Sequence, residues 1–187
     1  MKFPVGVFCL EGHSPFPVNA LATLQVLQRN CGVAFDYQGP VTIEQFWREL
    51  DRWVKREANL FPILFLAFHG ASGAVTIGDE CVFLDEIAER IAGRGRGRWL
   101  HISACSTLCV PPNFVADFLQ ETRLEGVSGY DFDVPIVDAF LEDYLTLRDL
   151  ILGSSQSKTK VTYEVKRNKS PRRRSPVNSS KAILFPK

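Results

Sequence analysis

The stretch "FPILFLAF", residues 61–68, contains no polar side chain. A strand with one face in water alternates apolar and polar residues, whereas a strand covered on both faces does not. A run this short, closed by His69–Gly70, suits a strand inside a parallel sheet with helices on each side. That requirement constrains the rest of the chain, because parallel neighbours need long crossover connections, usually helices.

The flanking sequence supplies such connections. "FPVGVFCL" (3–10) and "VAFDYQ" (33–38) read as short strands. Between them, "PVNALATLQVLQRN" (17–30) sets Leu21, Leu24 and Leu27 at helical spacing, and Cys31–Gly32 closes the helix. Thr42 and Gln45 have capping-box spacing and open a helix to about Glu57, with Phe46, Leu50, Trp53 and Val54 on one face. "GAVTIGDECVFL" (73–84) alternates, with a tight hairpin turn expected at Gly78–Asp79. Asp85 is expected to cap a helix through Ala92, and "GRGRGR" (93–98) to form a flexible basic loop. "RWLHISA" (98–104) reads as the fourth core strand, and "PPNFVADFLQET" (111–122) as a helix with proline in its first turn. A fifth short strand at 125–131 and a long amphipathic helix at 135–152 follow. Strands alternating with helices predict an α/β fold: an open, mostly parallel sheet with helices on both faces.

The 187 residues suit one domain, 1–152, followed by a basic, partly ordered tail, 153–187. The tail holds ten Lys/Arg against one acid, Glu164, so it carries about +9 and the remaining body about −8. Within the tail, "VTYEV" (161–165) and "AILF" (182–185) have strand composition. No apolar run reaches the roughly 18 residues of a membrane span. The opening "MKFPVGVFCLEGHSP" reads as a first strand rather than a secretory leader. Five cysteines without a C-x-x-C pair point to reduced thiols and a cytoplasmic setting. Cys105 and Cys109, with only His101 nearby, are a poor zinc set, and no metal or cofactor is expected.

Sites in open α/β sheets gather beyond the carboxyl ends of the strands. His69 and Cys105 each follow a predicted core strand and would reach one rim if those strands are neighbours. A cysteine attacks as its thiolate and so needs a nearby base, which a histidine supplies. Acyl transfer also needs donors for the developing oxyanion. The backbone N–H groups of Gly70, which has no side chain to obstruct approach, and of Cys105 are the candidates. A lone cysteine after a strand is ordinarily core, so the pairing carries the argument. His13, after the first strand, competes with His69 as the base, whereas His101 lies within a strand and reads as structural.

"FLAFHGASGAVTIGDECVFLDEIAERI" followed by "RWLHISACSTL" resembles the caspase-like (clan CD) cysteine peptidases, and the bacterial CHAT peptidases most of all. The shared pattern is an apolar strand ending in His-Gly, a hairpin and helix, then an apolar strand ending in a small residue and Cys. It covers roughly residues 60–150. The resemblance implies a caspase-like fold and a thiol endopeptidase with His69 and Cys105 as its dyad. It also implies a regulated effector of peptide or protein substrates, of a kind found in antiviral defence, switched by a partner protein, a small nucleotide signal or homo-oligomerisation. The segment "VSGYDFDVPIVDAFLEDYL" falls where the clan builds part of its S1 pocket, so Asp131 or Asp133 could meet a basic P1 side chain. Asp79 and Glu80 are further candidates. A basic P1 preference would let the tail occupy an acidic cleft of its own enzyme. The alternative is an inactive caspase-like binding or scaffold module, acting through the acidic face or the tail. Nucleic acid is not an expected partner, because the aromatics fall in predicted core elements rather than among the arginines.

Overall fold

The apolar run becomes the strand Ile63–Ala67, with four of its five residues buried. The computed structural model describes residues 5–12, 19–56, 60–153 and 183–186. In chain order the elements are β1 (Gly6–Glu11), α1 (Ala20–Cys31), β2 (Ala34–Gln38), α2 (Ile43–Lys55), β3 (Ile63–Ala67), β4 (His69–Ala71) and β5 (Ala74–Ile77). They continue with β6 (Glu80–Phe83), α3 (Leu84–Ile91), β7 (Trp99–Ser103), α4 (Phe114–Thr122), β8 (Gly126–Gly129), α5 (Ile136–Gly153) and β9 (Ile183–Pro186).

The main sheet has the order β2-β1-β3-β7-β8-β9. Its first five strands are mutually parallel, and β9 runs antiparallel to β8 at the edge. The fold is therefore α/β with a mostly parallel sheet. Strand residues alternate between two cores. Val7, Cys9, Ile63 and Phe65 pack with Leu24 and Leu27 of α1 and with Leu147 and Ile151 of α5. Phe8, Leu10, Leu64, Leu66, Leu100 and Ile102 face the other way, onto α2, α3 and α4 through Phe46, Trp53, Ile87 and Phe118. Helices thus cover both faces, which is why β3 needs no polar residue.

The local signals act in recognisable ways. Asn19 caps α1 by accepting from the Ala22 N–H at 3.0 Å. Thr42 caps α2 by accepting from the Gln45 N–H at 3.3 Å, while the Gln45 side chain accepts from Val41, one residue earlier than in a true capping box. Four expectations need correction. Asp85 is not a cap: it lies in the first turn of α3, whose cap residue is Phe83, and Glu86 accepts from the Phe83 N–H at 2.8 Å. Pro111 and Pro112 precede α4, which Asn113 opens. Arg98 is buried rather than part of a loose basic loop. Its guanidinium donates to the carbonyls of Trp53, Val54 and Arg56, satisfying the end of α2, and stacks on the Trp53 ring at 4.7 Å. The stretch 69–71 is itself a strand, β4, and joins β5 and β6 in a small antiparallel sheet.

"AILF" contributes to β9, shifted by one residue, whereas "VTYEV" and His13 lie outside the described residues. Among the described residues, no helix is long and apolar enough to cross a membrane. All five cysteines are free.

Candidate active site

Strands β3 and β7 are adjacent and pair at a constant offset of 36 positions, from Ile63↔Trp99 to Ala67↔Ser103. His69 and Cys105 are separated by the same offset, each two residues past its strand, so the register carries them to equivalent places on one rim. Both line a cleft of about 430 Å³ at the carboxyl end of the sheet. His69 is exposed and Cys105 is half-buried. No hydrogen bond joins them among the described residues; the thiol donates to the Val134 carbonyl at 3.8 Å.

The turn carrying Cys105 is tightly built. Ser106 adopts a left-handed φ of 54°, uncommon outside glycine. Its N–H donates to the Phe132 carbonyl at 3.0 Å and its hydroxyl to Asp133 at 2.7 Å. Thr107, fully buried, donates toward the Ala74 carbonyl at 3.3 Å and ties the turn to the β5 hairpin. Gly70 lies against this turn: a Cβ there would meet Thr107 Oγ1 and stand 2.5 Å from the Cys105 carbonyl oxygen. Glycine is required here for closeness. The two-residue turn Ser72–Gly73 closes the β4–β5 hairpin, so Ala71↔Ala74 is a hydrogen-bonded pair and Gly70↔Val75 is not. The Gly70 N–H is thus directed away from β5. The Cys105 backbone N–H has no acceptor among the described residues.

A second polar group lies beneath the rim. His101 is fully buried and stacks on Phe65 at 5.3 Å. Its Nε2 meets Asp143 Oδ1 at 2.9 Å, and its Nδ1 meets the Ser128 hydroxyl at 2.8 Å. Because the carboxylate accepts, Nε2 carries the hydrogen, and in the neutral ring Nδ1 then accepts from Ser128. Asp143 also receives the Tyr130 hydroxyl at 2.6 Å and, on Oδ2, the Ser103 hydroxyl at 2.6 Å. Burial, with Asp143 as the second cause, holds the Tyr130 phenol well above the usual tyrosine range. Cys9, on the same face of the sheet, is fully buried, and its thiol is pushed up by burial and then by Glu11 and Asp143. It is no nucleophile.

The far wall of the cleft is acidic. Glu11, Ala67 and Ser103 form the last in-register row across β1, β3 and β7. Ala67 and Ser103 are small, which leaves space above the row between the start of α1 and the flank of α5. Glu11 and Asp143 border this space, Asp79 of the β5–β6 turn lines the same cleft, and no Lys or Arg does among the described residues. Glu11 is 6% exposed; its Oε1 accepts from the Ala20 N–H at 2.8 Å, at the start of α1.

Of the residues singled out in the sequence, His69, Cys105 and Asp79 line the cleft, with Gly70 packed behind the thiol turn. Asp131, Asp133 and Glu80 do not line it, and Asp133 is engaged with Ser106. The sequence reading passed over Glu11, Ser103 and Asp143. Asp143 did leave a signal, since it lies on the buried face of α5 four residues before Leu147.

No curated protein matches the chain. One family model spans residues 5–150, from the start of β1 almost to the end of α5, and so takes in both walls of the cleft. On that match the chain belongs to a family of unknown function, DUF6642.

Proposed function

We propose that the protein is a caspase-like cysteine endopeptidase, acting as a regulated effector, with His69 and Cys105 as its dyad. One observation carries the reading: neighbouring parallel strands of equal register bring an imidazole and a thiol to the lip of one cleft. His69 takes the Cys105 thiol proton as the sulfur attacks a peptide carbonyl. The tetrahedral oxyanion is met by the Gly70 and Cys105 N–H groups, both of which are free of ladder or turn partners on that side. His69 then gives the proton to the leaving amine as the C–N bond breaks, leaving a thioester on Cys105. Water attacks the thioester, the C–S bond breaks and the acid product departs with the thiol restored. For this step the sulfur must turn from the Val134 carbonyl toward the imidazole.

The test is an electrophilic peptide probe of thiol enzymes applied to the full chain. Labelling should map to Cys105, vanish in Cys105→Ala and fall at least a hundredfold in rate in His69→Ala. Equal labelling of Cys81 or Cys109, or labelling indifferent to His69, would leave a binding module on the same scaffold.

A further inference from the structure

Helix α5 is unlike the other four. The side chains that α1, α2, α3 and α4 expose are polar or charged, apart from Ala116. α5 instead exposes Val137, Leu141, Leu145 and Leu152. At 3.6 residues per turn these four fall on one stripe along the helix, with Arg148 among them. The stripe faces away from the sheet, because Asp143, Leu147 and Ile151 on the other side are buried. A helix apolar on both sides is normally covered on both, and an exposed apolar strip marks a contact surface.

We infer that this stripe is the docking surface of the chain's own segment 158–167, "KTKVTYEVKR". The inference does not rest on the peptidase reading. Three observations choose this occupant. One is the path of the chain. α5 starts at the carboxyl rim, where Ile136 lines the cleft, and descends past Ser103 toward the core that holds Ile63 and Ile151. β9 begins back near that rim, with Ile183 paired to Gly129, itself the partner of Ile102. The stretch 154–182 therefore has to climb the height that α5 descends. From Leu152 to Val137 the rise is about 22 Å, which about seven extended residues cover, so the stretch can turn at both ends. Pattern is another. Val161, Tyr163 and Val165 alternate with Thr162 and Glu164, so an extended run would set its apolar side chains on one side, against the leucines. Charge is the third. Asp138, Glu142 and Asp149 follow one flank of the stripe, and Arg148 is the helix's single basic residue. The segment holds Lys158, Lys160, Lys166 and Arg167 against Glu164. Opposite charges meet in this pairing, whereas a second copy would lay the same acidic helix on itself.

The test is photo-crosslinking in the purified full chain, with p-benzoylphenylalanine in place of Leu141. Glu89, exposed on α3 across the sheet, is the control position. Irradiation should join position 141 to residues 158–167 of the same chain, in at least tenfold higher yield than the control position gives. Tyr163→Ser/Val165→Ser should lower that yield at least threefold, and a melting curve checks that the body of this variant stays folded. Mixing isotopically heavy and light chains separates products within one chain from products between two. A product joining two chains would put a second copy on the stripe and overturn the inference. So would equal yields at the two positions, a product mapping outside 158–167, no product at all, or a yield indifferent to Tyr163→Ser/Val165→Ser. Cys105 is not read in this experiment, so its outcome and that of thiol labelling are independent.

Discussion

His69 and His101 belong to adjacent strand systems and do opposite things with the same ring. His101 is buried, with both nitrogens engaged and its face on Phe65. His69 is exposed at the rim, and neither of its nitrogens has a protein partner among the described residues. The two thiols on this side divide in the same way: Cys9 is sealed in the core, and Cys105 stands half-open on a strained turn. A ring with both nitrogens occupied fixes geometry but cannot exchange a proton with a ligand, whereas a free ring can. Satisfied polar groups hold the sheet ends together, and unsatisfied ones remain at the lip, where chemistry would need them.

Three substitutions test this contrast. The largest loss is expected on the buried side. Asp143→Ala strands the donors of His101, Ser103 and Tyr130, and urea denaturation should show a loss of about 3–5 kcal/mol. A loss below about 1 kcal/mol would mean that water replaces the carboxylate and that the buried group is no anchor. Gly70→Ala comes next, because its new methyl meets the Cys105 turn. Overpacking of this kind should cost about 1–3 kcal/mol, and the same displacement should slow thiol labelling. Labelling at the parent rate would show that the turn yields freely. The smallest effect belongs to His69→Ala, whose melting curve should correspond to a stability change within about 0.5 kcal/mol although labelling collapses. A large stability loss there would make His69 a packing residue and remove the distinction.

Much of the frame could be read from the residues because burial leaves local marks. The uninterrupted apolar run at 61–68 required a doubly covered strand, and the leucine and tryptophan spacings named the helix faces that cover it. His69 and Cys105 were visible because each ends such a run. The rest depended on contacts distant in sequence. Glu11 looks like an ordinary strand-ending acid until α1 returns its first N–H to it. Asp143 becomes an anchor only when α5 crosses β7 and β8. Arg98 read as loop charge because its partners lie more than 40 positions away, at the end of α2. β4 escaped because three residues, one of them glycine, are too few to show a period.

Strand β9 gives the molecule an unusual seam. Gly153 ends α5, and Ile183 begins a strand paired to β8, so both ends of the intervening stretch are fastened to the body. A single cut in that stretch would leave the C-terminal piece joined to the body through its four-residue ladder with β8 rather than through the chain, so the edge of the main sheet would then be completed by a separate peptide.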